Sequence, residues 1–489
     1  MNNNDIVQKL WNLCDVLRDD GINYSDYVTE LVLLLFIKME QEVHDVRTFD
    51  NPSAKSKLPD YAQWGKLSSL SGINLLNYYR ETLLKLSQSD EPLISAIYAD
   101  AQTRLKEPRH LEQLIKSLDS IDWFSATRDG LGDLYEGLLE KNASETKSGA
   151  GQYFTPRPLI DSIVKLVKPQ VGETIQDPAA GTAGFLIAAD AYIQKFTDKH
   201  RSLTLKQQAF QRNHAYVGME LVSGTRRLAL MNCLLHGMEG DDQGVIHLGN
   251  TLGTPGSQLP PVDIILSNPP FGTAKGGGGP TREDLTHKTG NKQLAFLQHI
   301  YRGLKDGGRA AVVLPDNVLF EAGVGADIRR DLMDKCNLHT ILRLPTGIFY
   351  AAGVKTNVLF FSKVSNKASG STKNVWVYDM RANMPKFGKR TPFTASYFEE
   401  FEAAYGELPN GSSPRTDQGE AGRFRSFDRA WIAERSDSLD ISWIKDENTE
   451  DAADLPEPAV LAQEAMGELA AAMAELQGIL AELGEEVVG

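Results

Sequence analysis

Residues 268–271, with the sequence Asn-Pro-Pro-Phe, combine side chains and carbonyls that could bind and activate an amine. The apolar run 262–266 precedes them and is typical of a buried strand in a parallel sheet. The glycine-rich stretch 272–280 follows and predicts a loop. Open α/β sheets bind ligands at the carboxyl ends of their strands, so we expect the chemistry of this chain at residues 268–271.

The residue types of this motif suit an exocyclic amine of a nucleobase. Such an amine is a weak nucleophile, because its lone pair is delocalised into the ring. If the Asn268 oxygen and the Pro269 carbonyl accepted its two hydrogens, the nitrogen would become more tetrahedral and release that lone pair. Pro270 stiffens the turn because proline fixes φ, and Phe271 offers a flat face for a base pulled out of a duplex. The alternative is an ordinary turn, since X-Pro pairs commonly form turns.

A second candidate site lies at residues 177–185, Asp-Pro-Ala-Ala-Gly-Thr-Ala-Gly-Phe, which predict a strand end, a tight turn and a helix start. Small residues let the backbone approach a ligand closely. The stretch lacks the dinucleotide glycine pattern and the lysine of a phosphate-binding loop, which favours a cofactor without phosphates. Asp177 could bind an amino group of that cofactor. The alternative is a tightly packed strand–helix turn.

Two further predicted strands, 216–220 and 245–248, also lead into polar residues. Glu220 stands where an acidic side chain binds ribose hydroxyls in nucleoside-binding α/β folds. Asn250 and Thr251 follow the other strand, near the expected position of an adenine ring. A single acid at a strand end is usually only solvated, but three strand ends in register favour a nucleoside site.

Upstream, the turn at residues 153–155 (Tyr-Phe-Thr) could cover the amino-acid end of the cofactor. A helix is predicted at 159–167, and Thr155 suits its N-cap. The alternative is a capped helix without a ligand.

The elements that must position these residues alternate between strand and helix over 172–363, which predicts an α/β fold with a doubly wound, mostly parallel sheet. In the tail, apolar residues recur at alternating spacings of four and three, which predicts a coiled-coil-like helix that seeks a partner. Packing of this helix on its own domain is the alternative. The predicted domains are a helical N-terminal domain (1–142), a catalytic domain (143–370), an irregular extension (371–455) and an amphipathic tail helix (456–489).

The composition of the 489 residues is typical of a soluble globular protein. Neither a membrane-spanning run nor a signal peptide is evident, so we expect a cytoplasmic protein. The spacing of Cys14, Cys233 and Cys336 predicts buried thiols and no metal site.

The net charge of −14 is concentrated at the C-terminal end of the chain. Residues 446–489 contain twelve acids and no Lys or Arg, which leaves 53 acids and 51 bases elsewhere. This near-neutral body lacks a strong electrostatic footprint for DNA on its own. Basic side chains in and near the glycine-rich loop could contact DNA phosphates. These are Lys275, Arg282, Lys288 and Lys292. The alternative, which fits the sequence equally well, is a solvated loop without a ligand.

Taken together, the motifs resemble the modification (methyltransferase) subunit of type I restriction–modification systems over nearly the whole chain. The resemblance rests on residues 151–156, 177–185 and 268–271. Their order, with the covering turn first and the catalytic motif last, is that of gamma-type DNA adenine methyltransferases. Residues 131–136 (Leu-Gly-Asp-Leu-Tyr-Glu) are similar to type I subunits rather than to stand-alone enzymes.

The resemblance implies a Rossmann-like methyltransferase core that transfers a methyl group from S-adenosylmethionine to N6 of a flipped-out adenine and so protects host DNA from restriction. It further implies a partner specificity subunit that reads the DNA, a second copy of this subunit, and in some systems a restriction subunit. The implied catalytic residues are Asn268, Pro269, Pro270 and Phe271. The implied cofactor contacts are Tyr153, Phe154, Thr155, Asp177, Ala179, Gly181, Thr182, Gly184, Glu220, Asn250, Thr251 and Asn268.

One residue departs from the family pattern. Asn250 stands where related enzymes often have Asp, and its side-chain oxygen could still accept from the adenine amino group of the cofactor. Other functions also remain open. One is methylation of cytosine N4, RNA or a protein glutamine, and another is a cofactor-binding scaffold without catalysis.

Overall fold

The centre of the fold is a single sheet, described here from a computed structural model. The structure describes residues 3–22, 26–50, 56–121, 123, 131–145, 155–271, 279–349, 355–364, 370–385, 387 and 391–444. Their strands are β1 (Ile175–Asp177), β2 (Tyr216–Glu220), β3 (Ile246–Leu248), β4 (Val262–Ser267), β5 (Leu304–Pro315), β6 (Cys336–Arg343), β7 (Thr356–Lys363), β8 (Asn374–Asp379) and β9 (Phe424–Asp428).

The strand order across the sheet is β3-β2-β1-β4-β5-β7-β6-β8-β9. Five neighbouring pairs among these strands are parallel and three are antiparallel, which confirms the predicted mostly parallel α/β sheet. The order reverses between β1 and β4, because β2 and β3 lie on one side and β5 on the other. Such a reversal opens a crevice at the carboxyl ends of the two central strands.

Strand β4 shows why a continuous apolar run predicts a strand of a parallel sheet. Ile264, Ile265 and Leu266 are fully buried, because helices cover both faces of a parallel sheet. The motif at 268–271 follows directly after this strand and therefore lies at the crevice.

The helices of the structure cover most of the N-terminal part and alternate with the strands thereafter. They are α1 (Asn3–Asn12), α2 (Cys14–Asp19), α3 (Tyr27–Asp50), α4 (Trp64–Ser68), α5 (Gly72–Ser87), α6 (Pro92–Tyr98), α7 (Pro108–Asp119), α8 (Leu131–Glu145), α9 (Arg157–Val167), α10 (Gly184–Phe196), α11 (Leu205–Asn213), α12 (Ser223–Leu235), α13 (Thr254–Ser257), α14 (Lys292–Gly303), α15 (Asn317–Phe320), α16 (Val324–Lys335), α17 (Glu399–Tyr405) and α18 (Arg429–Glu434). Short 3₁₀ helices form at Asp60–Ala62 and Ala395–Phe398.

The N-terminal part is helical, as predicted, and α3 runs through its interior. Leu31, Leu33 and Ile37 of this helix are fully buried. The helical part is tied to the sheet by Arg227 of α12, which donates to the carbonyls of Ile97 at 2.8 Å and Ala99 at 2.5 Å. Residues up to Trp443 consequently form one compact unit.

The segment predicted as an irregular extension contributes to the sheet. Strand β8 pairs parallel with β6, and β9 pairs antiparallel with β8 at the edge. The predicted tail helix at 456–489 lies outside the described residues.

Two composition-based expectations also have a structural outcome. Cys14, Cys233 and Cys336 are buried free thiols, as predicted. Within the described part of the chain, no helix combines the length and apolarity needed to cross a membrane.

Candidate active site

The ends of β1 and β4 meet through one side-chain hydrogen bond. The Ser267 hydroxyl donates to Oδ1 of Asp177 at 2.7 Å, and the Ala179 backbone N–H donates to the same oxygen at 3.0 Å. Asp177 is only 2% exposed, and burial raises the pKa of its carboxyl to about 7 against the opposing effect of these hydrogen bonds. A cationic group beside Asp177 would therefore be bound favourably.

Glu220, at the end of β2, is held by the backbone around it. Its carboxylate accepts from the N–H groups of Gly181 at 3.1 Å and Val222 at 2.8 Å. Gly181 has φ +54°, a left-handed conformation that favours glycine and turns the 177–185 loop back toward β2. Burial raises the pKa of Glu220 above its ordinary value. Each carboxylate oxygen retains a further lone pair for a ligand hydroxyl.

Of the two predicted cofactor contacts that follow β3, one is exposed and the other is buried. Asn250 is exposed, and its side-chain oxygen accepts from the Leu252 N–H at 3.0 Å. Thr251 is buried and donates its hydroxyl to the Pro178 carbonyl at 2.5 Å. This bond joins the loop after β3 to the loop after β1, so Thr251 shapes the predicted cofactor site.

Apolar side chains at the same edge were not predicted. Leu221, Val222 and Leu248 are 64%, 47% and 50% exposed, at the ends of the paired strands β2 and β3. The exposed leucines form an apolar surface beside the polar residues at these strand ends, and a flat ring could pack on it. The signal available in the sequence was an apolar pair directly after Glu220.

The cofactor loop itself is positioned from helix α12. Asn232 donates its side-chain N–H to the Thr182 carbonyl at 3.0 Å. Ala179, Gly181, Thr182 and Gly184 lie on this loop and at the start of α10, as the sequence indicated. Tyr153 and Phe154 lie outside the described residues.

Thr155 has a different role from the predicted N-cap. The N-cap of α9 is Pro156, which has no side-chain hydrogen bond to the helix. The Thr155 hydroxyl instead accepts from the Asn268 side-chain nitrogen at 2.9 Å. The predicted cap is therefore wrong, and the same side chain joins the predicted covering turn to the Asn-Pro-Pro-Phe motif.

The rest of the motif is supported by α14. Gln293, which is 2% exposed, donates to the Pro270 carbonyl at 3.2 Å. Asn291 caps α14 by accepting from the N–H groups of Gln293 and Leu294. Pro269 is buried and Phe271 is half-buried, with its ring edge-to-face on Phe349 at 6.2 Å. Sequence reasoning missed Gln293, because the contact forms only in the folded chain.

The predicted DNA contacts occupy different environments. Lys288 is exposed, and Lys292 is half-buried at the start of α14, whereas Lys275 lies outside the described residues. Arg282 is only 7% exposed, donates to the Thr251 carbonyl at 3.0 Å and pairs with Asp284 at 2.6 Å.

The guanidinium of Arg282 lowers the pKa of Asp284 to about 2, which marks a strong local pairing. Its donors face the protein, so it positions the loop instead of presenting a charge to DNA.

Three protein-family models match the chain. The model described as N-6 DNA Methylase matches residues 126–451. The HsdM N-terminal domain matches residues 6–118, and the C-terminal domain of the type I restriction enzyme methylase subunit matches residues 455–487.

Curated relatives resemble the chain over nearly its full length. It is 53% identical to the type I restriction enzyme StySPI methylase subunit of Salmonella potsdam, over 99% of this chain and 96% of the relative. The same identity and coverage hold for the EcoKI methylase subunit of Escherichia coli K12.

Solved structures agree with these relatives. The crystal structure of the EcoKI M protein has 48% sequence identity and a TM-score of 0.59, covering 99% of this chain and 97% of that one. A modification subunit of a type I restriction enzyme from Vibrio vulnificus has 25% identity and a TM-score of 0.72, covering 92% and 99%. The chain belongs to the N-6 DNA methylase family and, within it, to the methylase subunits of type I restriction enzymes.

Proposed function

We propose that this chain transfers the methyl group of S-adenosylmethionine to the N6 amine of an adenine flipped out of duplex DNA. The observation that carries the proposal is the hydrogen bond from Ser267 to Asp177, which holds a buried carboxyl beside the Asn-Pro-Pro-Phe motif. Membership in the N-6 DNA methylase family supports the same reaction.

The ends of β1, β2 and β3 carry groups that fit this cofactor. The Asp177 carboxyl suits the amino group, Glu220 suits the ribose hydroxyls, and exposed Leu221 and Leu248 suit the adenine ring. When bound, S-adenosylmethionine supplies a methyl group activated by a positively charged sulfur. Further proposed contacts are Tyr153, Phe154, Thr155, Ala179, Gly181, Thr182, Gly184, Asn250, Thr251 and Asn268.

The motif then prepares the amine for attack. The Asn268 oxygen and the Pro269 carbonyl accept its two hydrogens, and Phe271 stacks on the extruded base. The nitrogen lone pair forms the new bond to the methyl carbon as the bond from carbon to sulfur breaks. No base has to act beforehand, because the methylated nitrogen can lose its extra proton afterwards. Positioning of the two reactants supplies the main part of the rate enhancement.

We also propose that DNA reading belongs to a partner. The sequence similarity to type I methylase subunits and the near-neutral charge of residues 1–445 support this division of labour. The proposed assembly contains a specificity subunit and a second copy of this chain, and a restriction subunit can bind to it. In this assembly the methyl mark protects host DNA from restriction. We expect the assembly to work in the cytoplasm, where the DNA is located.

The test uses unmethylated DNA and labelled S-adenosylmethionine, with and without the specificity subunit, followed by nucleoside analysis. Label in N6-methyladenine only with the partner present is the expected result. Label in N4-methylcytosine, or in RNA or protein substrates instead, would replace the adenine assignment. Cofactor binding without transfer to any of these substrates would favour a scaffold.

Asn268→Ala tests the motif within the same assay. We expect this variant to keep most of its affinity for S-adenosylmethionine in calorimetry, because the other proposed contacts remain, and to lose about a hundredfold or more in methyl transfer, comparable to the loss of an oriented polar group in other active sites. Near-normal turnover by the variant would remove the proposed role of Asn268.

A further inference from the structure

A cluster of three possible metal ligands lies outside the groups used in the proposed reaction. Asp133 and Glu136 are three residues apart on α8, and His236 follows the end of α12. One ligand atom from each of these residues lies within 4.8 Å of those of the other two. Nε2 of His236 is 3.8 Å from Oδ1 of Asp133, which is too long for a hydrogen bond.

The tautomer of His236 follows from its other nitrogen. Nδ1 is 2.9 Å from the Asn232 carbonyl, which can only accept, so Nδ1 carries a proton. Nε2 then presents a lone pair toward the two carboxylates. It is buried, and none of the residues that the structure describes forms a hydrogen bond with it. A positive species between three acceptors that converge in this way would satisfy the buried lone pair of Nε2 and offset the repulsion of the carboxylates.

The backbone of α8 makes room for this imidazole. A Cβ atom at Gly132 would lie 2.6 Å from both Cε1 and Nε2 of His236, closer than real contacts allow. The glycine therefore lets the ring lie directly against the helix beside Asp133. The hydrogen bond from Nδ1 to a backbone carbonyl is also the arrangement that commonly orients a metal-binding histidine.

We propose that Asp133, Glu136 and His236 bind a divalent transition-metal ion such as Zn²⁺. One imidazole nitrogen and two carboxylate oxygens suit such an ion, with water completing its coordination. Metal–ligand distances of about 2 Å require the three side chains to close slightly. The Asp133 side chain is 68% exposed and can rotate to do so. Glu136 bonds Arg157 through Oε2 at 2.6 Å, which leaves its second oxygen for the ion.

The position of this site gives it a structural role. Glu136 pairs with Arg157, two residues after Thr155, and His236 bonds to the carbonyl of Asn232. The Asn232 side chain in turn supports Thr182 in the cofactor loop. A bound ion would therefore fasten α8 of the N-terminal helical part to two elements that position the candidate active site.

The chief competing occupant is a proton. Burial disfavours the imidazolium, yet the carboxylates of Asp133 and Glu136 raise the pKa of His236 above its ordinary value. Metal and proton would occupy the same lone pair, so direct metal binding separates them.

The experiment titrates Zn²⁺ into the full chain after removal of metals with a chelator, using calorimetry and elemental analysis of the dialysed protein. We expect one ion per chain and a higher melting temperature with zinc. Asp133→Asn and His236→Gln should each weaken binding about tenfold or more. Asp133→Asn is the primary variant, because its exposed side chain can be replaced without a change in packing.

His247→Gln is the matched control. His247 forms a partly exposed pair with Asp241 at 3.0 Å and lies outside the cluster, so its replacement should leave tight zinc binding intact. Absence of saturable binding, or binding unchanged in both cluster variants, would overturn the proposal. Loss of tight binding in the control variant alone would also overturn it.

Discussion

The hydroxyl of Ser267 donates to Oδ1 of Asp177 at 2.7 Å, and so joins the last residue of β4 to the last residue of β1. These strands are neighbours at the point where the order of the sheet reverses. Asn268 is the next residue after Ser267. The bond therefore fixes the Asp177 carboxyl, which we propose binds the cofactor, relative to the Asn268 amide, which we propose binds the target amine. Contacts of this kind determine the distance between the methyl donor and the amine.

The first prediction concerns this contact. Ser267→Ala should weaken S-adenosylmethionine binding about tenfold, because a hydrogen bond to a charged group contributes roughly 1.5–3 kcal/mol. Calorimetry measures the affinity. Ser257→Ala is the control, since this serine donates to the Thr254 carbonyl of its own short helix. Equal affinities of the two variants would show that the contact does not orient Asp177.

The second prediction follows from the pKa of Asp177, which burial raises to about 7. The folded protein holds this proton more tightly than the unfolded chain, so stability from this group falls as pH rises from about 4 to 7. Asp177→Asn should therefore make the cofactor-free protein less sensitive to pH over that range. It should also weaken cofactor binding, because the neutral amide cannot pair with an amino cation.

Thermal unfolding between pH 5 and 8, measured without cofactor, checks the stability part, and calorimetry at pH 8 checks the binding part. The Asp263→Asn variant is the control, because the Asp263 carboxyl is ionised in both the folded and the unfolded protein over this pH range and its replacement should leave the pH response unchanged. Although burial opposes it, pairing with Lys305 lowers the pKa of Asp263 below its ordinary value. A parallel pH response of the two variants would contradict the assignment for Asp177.

Much of the fold could be predicted from the sequence, because the parallel strands are buried on both faces and form continuous apolar runs. Strand β9 was missed, because only Phe424 among its residues is fully buried at the sheet edge. Asp177 and Glu220 could be located since polar residues at parallel strand ends share one edge. The supporting roles of Gln293 and Arg282 could not be predicted, because the Pro270 and Thr251 carbonyls to which they donate are distant in the chain.

The third prediction tests the bond between Asn268 and Thr155. Thr155→Val should slow methyl transfer about tenfold, since it removes the acceptor that orients the Asn268 amide at 2.9 Å. Thr155→Ser keeps the hydroxyl and should retain most of the rate. Single-turnover kinetics at saturating cofactor measure the effect separately from binding. A Ser variant as slow as the Val variant would show that the hydroxyl alone does not sustain the rate and would contradict the proposed role of this bond.

The fourth prediction compares two of the predicted DNA contacts, exposed Lys288 and buried Arg282. Lys288→Ala, in the assembly with the specificity subunit, should reduce the slope of DNA affinity against salt by about one unit, because one phosphate contact is lost. Arg282→Met should leave that slope unchanged and destabilise the protein by about 1–3 kcal/mol, because the carbonyl of Thr251 loses a buried donor. The slopes come from DNA binding at several salt concentrations, and the stability comes from thermal unfolding. A salt slope that changes for Arg282→Met but not for Lys288→Ala would mean that the loop turns its buried arginine outward when DNA binds.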